Sequence, residues 1–150
     1  MNKKKVLFLC THNSARSQIA EGLLKNLYGD RFDAFSAGTK PSSVSPYAIE
    51  AMKEIGIDIS NHRSKSMEEF RGMKIDYVIT VCDNAKEACP FFPDGARYLH
   101  KSFNDPSQFK GTREEMLPTF RHTRDEIKEW IDKTFSQEIE QTDEITLELL

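Results

Sequence analysis

Four consecutive apolar residues, Val6 to Leu9, run straight into the polar octet CTHNSARS at 10–17, and a helical pattern follows at once. An uninterrupted apolar strand has no solvent face, so it belongs inside a parallel sheet covered on both sides. The rest of the chain repeats the alternation. Ile19, Ala20, Leu23, Leu24 and Leu27 recur at helical spacing up to Gly29, a C-terminal stop. Phe32 to Ala37 predicts a second strand, closed by Gly38. A second helix starts at Ser45, takes Pro46 into its first turn, carries Ile49, Met52 and Ile55, and stops at Gly56. Ser66 and Glu69 form a capping-box pattern ahead of a short third helix. Tyr77 to Cys82 predicts the third strand and Arg97 to His100 a weaker fourth. The longest helix starts near Thr112, with Glu115 three residues on. Phe120, Ile127, Trp130, Ile131 and Phe135 give it one apolar stripe, and Pro118 is expected to delay or kink its start. This order predicts an α/β fold: a single domain with an open, parallel, four-stranded sheet and helices on both faces. Residues 1–135 form the body, and 136–150 an acidic extension whose pattern fits either a frayed tail or an added helix.

The octet sits where the first strand hands over to the first helix. A helix N-terminus offers unpaired backbone N–H groups and the positive end of the dipole, and Arg16 adds a fork of donors that grips a tetrahedral anion at two oxygens. The same field favours the thiolate of Cys10, so a nucleophile faces an anion pocket built from Thr11, His12, Asn13, Ser14, Ala15 and Arg16. A lone cysteine at a strand end is more commonly a small buried hydrophobe. Here the arginine six positions on, the hydroxyl of Ser17 and the strand-to-helix junction favour the nucleophile.

Topology tests the site independently. In open α/β sheets, ligands bind beyond the carboxyl ends of the strands. Cys10 follows strand one, Cys82 ends strand three, and Asp105 lies a few residues past strand four, so all three fall on one rim. Asp105-Pro106 is, by itself, ordinary turn chemistry. Cys82 and Cys89 lie too far apart in sequence for a zinc ligand pair. If the segment between them is helical, seven residues of 1.5 Å rise separate their Cα atoms by about 10 Å, whereas a disulfide needs less than about 7 Å. The pair is therefore oxidised only if the intervening segment gives up its helix.

Composition narrows the function classes. With 21 basic and 24 acidic residues the net charge is −3, which makes no case for nucleic acid or an anionic membrane as partner. All the basic residues precede position 134, so the body itself does not repel anions. MNKKKVLFLC imitates the start of a signal peptide, but Thr11, His12 and Asn13 cut the apolar stretch short. Three cysteines, an odd number, argue for free or redox-active thiols in a reducing compartment, hence a cytoplasmic protein.

CTHNSARSQ, ISNH at 59–62, VCDNAKEACP with its cysteines at 82 and 89, and Asp105-Pro106 together resemble the thioredoxin-coupled arsenate reductases, built on the low-molecular-weight protein tyrosine phosphatase fold. The resemblance runs from Lys4 to about Lys133. It implies that Cys10 attacks arsenate, that Cys82 attacks the thiol-arsenic adduct and releases arsenite, and that Cys89 resolves the Cys10–Cys82 disulfide into a Cys82–Cys89 bond presented to thioredoxin. Arg16 would bind the oxyanion, Ser17 donate its hydroxyl to the Cys10 thiolate, Asn13 hold the loop through left-handed backbone, and Asp105 protonate the departing oxygen. No bound cofactor is implied; thioredoxin is the external reductant, and phosphate and sulfate are competing oxyanions. Some members hold potassium with residues matching Asn13, Glu21 and Ser36 plus a further acid. This chain has Lys65 there, so no metal is expected. The alternative is a low-molecular-weight tyrosine phosphatase, which needs only Cys10, Arg16, Ser17 and Asp105. Against it, SQFKG after Asp105-Pro106 lacks the tyrosine pair such phosphatases often show.

Overall fold

The computed structural model describes residues 3–83 and 90–149, the side chains of 142 and 144–149 excepted. Strands β1 (Lys4–Cys10), β2 (Phe32–Gly38), β3 (Ile75–Thr80) and β4 (Gly95–His100) form one sheet in the order β2-β1-β3-β4, with every neighbouring pair parallel. Helices α1 (Arg16–Tyr28), α2 (Pro46–Lys53) and α3 (Arg113–Leu149) complete the fold with two 3₁₀ turns, Met67–Phe70 and Pro106–Gln108.

β1 divides its apolar side chains between two cores. Val6, Phe8 and Cys10 pack with Ile19 and Leu23 of α1, Met52 of α2 and Phe120, Ile127, Ile131 and Phe135 of α3. Leu7 and Leu9 turn the other way, onto Ala37, Phe70, Val78 and Phe92. Both faces are covered, as the uninterrupted apolar run demands. The second face is closed by the Met67–Phe70 turn and Phe92 rather than by a long helix.

Local boundaries differ from expectation in four places. The third strand ends at Thr80, not Cys82; Val81 still donates to the Leu9 carbonyl (2.9 Å), and Cys82 is buried past the strand end. α2 is shorter than expected, Pro46–Lys53, and closes in a turn that reaches Gly56 at φ +80°. The third helix is a single 3₁₀ turn. The Ser66 hydroxyl accepts from the Glu68 amide, and Glu69 is drawn away by Arg63, so the reciprocal box does not close there. It closes instead at Thr112 and Glu115, whose side chains each receive the other's backbone N–H. That start lies ahead of Pro118, which neither delays nor ends α3. The extension resolves in favour of an added helix: α3 continues without a break through Leu149. Among the described residues, no helix is long and apolar enough to cross a membrane.

Candidate active site

Loop 11–15 leaves β1 and enters α1 with no acidic residue in the helix's first turn, so nothing cancels the positive end of the dipole. Outside donors hold its carbonyls. Lys40 N–H reaches the Thr11 carbonyl at 2.9 Å, the Ser64 hydroxyl the His12 carbonyl at 2.8 Å, and Ser45 N–H the Ser14 carbonyl at 2.9 Å. Asn13 adopts φ +50°, the left-handed turn expected of it. Gly38, paired with Cys10 in the sheet, lets the loop fold this close: a Cβ there would stand 2.5 Å from the Thr11 carbonyl oxygen.

A cavity of about 220 Å³ opens above the loop, lined by Cys10, His12, Ser14, Ala15 and Arg16 and roofed by Ser42, Asp105, Ser107, Gln108 and Lys110. The Cys10 sulfur lies 2.8 Å from the Ser17 hydroxyl oxygen, and Cys10 is a free thiol. Arg16, only 3% exposed, donates to the Phe103 carbonyl at 3.2 Å and places Nη2 3.6 Å from Asp105 Oδ2. The other Asp105 oxygen caps the Ser107 amide at 2.9 Å. Nucleophile, guanidinium and acid thus meet at one opening.

Beneath the loop runs a buried polar network. Asn13 Nδ2 donates to Ser17 Oγ (2.8 Å) and Ser36 Oγ (3.0 Å), and Ser36 donates to Glu21 Oε1 at 2.6 Å. The Gln18 amide nitrogen serves the Asn13 main-chain and side-chain oxygens and the Arg63 carbonyl. That orientation leaves Gln18 Oε1 as acceptor for His62 Nδ1 at 3.0 Å, which assigns the imidazole proton to Nδ1. His62 Nδ1 is also 3.3 Å from Glu21, and the Lys65 ammonium stands 3.6 Å from the same carboxylate. Burial holds His62 below its usual range against the pull of Glu21, and burial likewise lowers Lys65. The His62 ring and the Lys65 ammonium thus both face the Glu21 carboxylate.

The signature of the family described as low molecular weight phosphotyrosine protein phosphatase matches residues 5–144. The chain belongs to that family. Within the family it is 47% identical over 137 residues to an arsenate reductase of Halalkalibacterium halodurans, covering 91% of this chain and 98% of that protein. Its structure superposes on an arsenate reductase in the phosphate binding state with a TM-score of 0.77 at 33% identity, covering 89% of this chain and 98% of the other. It also superposes on the thioredoxin-dependent arsenate reductase of Corynebacterium glutamicum with a TM-score of 0.59 at 28% identity, covering 88% of this chain and 63% of that one.

Against this family background the expected site residues divide into three groups. Cys10, His12, Ser14, Ala15, Arg16 and Asp105 share the cavity. Ser17 and Asn13 support it from below, and Thr11 contributes its carbonyl to the outward anchoring. Cys82, fully buried, is in a disulfide; with Cys10 free, that bond does not involve Cys10. Cys89 and the helix expected between the two cysteines lie outside the described residues. Sequence reasoning gave no role to Gln18, Ser42, Phe103 or Lys110. Only the apolar context of Gln18 hints at its burial, and the others reach the site through tertiary contacts alone. Among the described residues no cluster of His, Cys, Asp or Glu could hold a metal ion.

Proposed function

We propose that this chain reduces arsenate to arsenite with thiol electrons and is restored by thioredoxin. Arsenate enters the cavity against Arg16 and the loop amides. The Cys10 thiolate, steadied by the Ser17 hydroxyl, attacks arsenic, and Asp105 gives a proton to the departing oxygen, which leaves as water. Cys82 then attacks the Cys10 sulfur. The S–As electron pair stays on arsenic, which departs as arsenite two electrons richer, and a Cys10–Cys82 disulfide remains. Cys89 attacks Cys82, frees Cys10, and leaves a Cys82–Cys89 disulfide for the dithiol of thioredoxin to reduce. Three thiols carry the two electrons, so the scheme calls for no bound cofactor; phosphate and sulfate compete for the cradle.

One observation carries the reading beyond a phosphatase. The Val81 amide bonds the Leu9 carbonyl at 2.9 Å, which brings the chain entering Cys82 alongside the chain entering Cys10 at one sheet edge. A phosphatase has no use for a second thiol there. A free Cys10 together with a disulfide-bonded Cys82 also matches the state that the relay reaches after one turnover. Weak phosphatase activity fits as a side reaction, since Cys10, Arg16 and Asp105 share one cavity and phosphate has nearly the shape of arsenate. The test is an arsenite assay with and without thioredoxin, its reductase and NADPH. Sustained turnover is expected only with the complete couple; equal turnover with glutathione and glutaredoxin would rule out thioredoxin as the partner.

A further inference from the structure

Five large apolar side chains stand well exposed among the described residues: Leu27, Ile55, Phe91, Tyr98 and Phe109. Two of them are stacked. The Phe91 and Tyr98 rings lie 5.8 Å apart between centroids at an interplanar angle of 17°, and Phe91 is 69% exposed. The pair is held rigidly. Tyr98 belongs to β4 and donates its hydroxyl to the Phe92 carbonyl at 2.7 Å while accepting from the Gly95 amide, and the neighbouring Phe92 is fully buried in the second core. Asp94, three residues after Phe91, is paired with Arg71 at 3.2 Å. Nothing in the fold needs an aromatic ring there, since truncating it would open no core.

We infer that the Phe91–Tyr98 shelf is the docking surface for the dithiol protein that reduces the Cys82 disulfide. The inference rests on the relay proposed above. Position fixes the occupant. Phe91 follows Cys89 by two residues, so its Cα lies within about 7 Å of that of the cysteine by chain length alone. Redox encounters are small, below about 1,200 Å² in total or about 600 Å² per partner, a disc of about 14 Å radius. A protein that reaches that bond comes within range of Phe91. The thiolate of such a partner attacks one sulfur of the disulfide and expels the other as thiolate, and its second thiol then attacks the mixed disulfide, so two electrons pass and the partner leaves oxidised. A flat aromatic shelf supplies contact area for this brief encounter without the slow release that charged anchors impose.

Phe91→Ser tests the shelf, with turnover measured under thioredoxin and, separately, under dithiothreitol, which needs no docking surface. The KM for thioredoxin should rise about tenfold, as expected for loss of an aromatic anchor, while dithiothreitol-driven turnover stays within twofold. Phe91→Tyr should restore the wild-type KM, and Leu27→Ser, an exposed apolar position on α1, should leave it unchanged. An unchanged KM in Phe91→Ser overturns the proposal. So that the answer does not hang on one variant's folding, the wild-type chain is also trapped as a mixed disulfide with thioredoxin lacking its resolving cysteine, then footprinted with hydroxyl radicals. Protection of Phe91 and Tyr98 is expected, and full reactivity of both rings overturns the shelf. Failure of the relay itself reads differently, as no arsenite from the wild-type chain with dithiothreitol.

Discussion

In the proposed reaction Cys10 attacks as a thiolate, and the Ser17 hydroxyl lies 2.8 Å from its sulfur. A hydrogen bond to a charged partner contributes about 1.5–3 kcal/mol, so Ser17→Ala should slow iodoacetamide alkylation of Cys10 at pH 7, and arsenite formation with it, by about tenfold or more. Cys10→Ser should abolish arsenite formation and any phosphatase activity, because an alcohol without a dedicated base is a poor nucleophile. Cys89→Ser should differ: about one equivalent of arsenite per enzyme, then a stall with a Cys10–Cys82 disulfide visible by peptide mapping. Multiple thioredoxin-driven turnovers by that variant would sink the relay. The network below the loop titrates. Burial lowers His62 from its usual 6.5 in the fold, against the pull of Glu21. Below that value the unfolded chain binds a proton that the folded chain refuses, so stability is complete above about pH 6.5 and falls as the medium is acidified, by up to 1.4 kcal/mol per pH unit. Denaturant midpoints should drop between pH 7 and pH 5.5 in the wild type, and His62→Gln should flatten that slope.

At the scale of elements, α3 carries the largest difference between expectation and structure. Its start was legible as Thr112 with Glu115, and the reciprocal bonds between them explain why Pro118 is harmless: the helix is already nucleated, and the proline costs it one amide in the second turn. Thr112→Ala should lower stability by about 1 kcal/mol without changing the activity. Its end was not legible, because beyond Phe135 only Ile139 packs on the core and the other contacts are polar. Glu138 accepts the Tyr77 hydroxyl and an Arg97 N–H, both at 2.8 Å, and Asp143 receives Arg31. Burial and the Glu138 carboxylate together push the Tyr77 phenol above its usual range. These are contacts between strands β3 and β4 and a helix some sixty and forty residues away, invisible to any periodicity. Removing residues 138–150 should cost about 1–3 kcal/mol, the price of a half-buried hydroxyl left without its acceptor, with kcat unchanged; equal urea midpoints for full-length and truncated chains would show that the helix merely rests on the body. Strand order, parallel pairing and the loop's position at the sheet's carboxyl edge were readable from the apolar run at Val6 and its successors. Of the support beneath the loop, the resemblance alone grouped Asn13, Glu21, Ser36 and Lys65; the bonds of Gln18 and His62 were not readable, since these residues converge from α1, β2 and the stretch after α2.

Across the whole molecule, the relay demands that one small segment move while the sheet stays rigid. The sheet side of that bargain is built in: Val6, Leu7, Phe8 and Leu9 are fully buried between two cores, and Ile75 and Ile79 anchor β3 in the same way. The sequence from Asp83 to Ala88 offers no large apolar group to bury, so little would oppose a rearrangement there. A helix there cannot coexist with a Cys82–Cys89 bond, because its rise keeps the Cα atoms about 10 Å apart. Reduction should therefore let the segment coil into a helix, and oxidation should undo it. Hydrogen exchange decides the matter. Amides from Asp83 to Cys89 should be better protected in the reduced enzyme than in the oxidised one, while those of Val6 to Leu9 and of β3 change little. Equal protection in both redox states would mean that the two cysteines exchange electrons across a fixed scaffold, and the coil-to-helix switch would have to be abandoned even with the thiol chemistry intact.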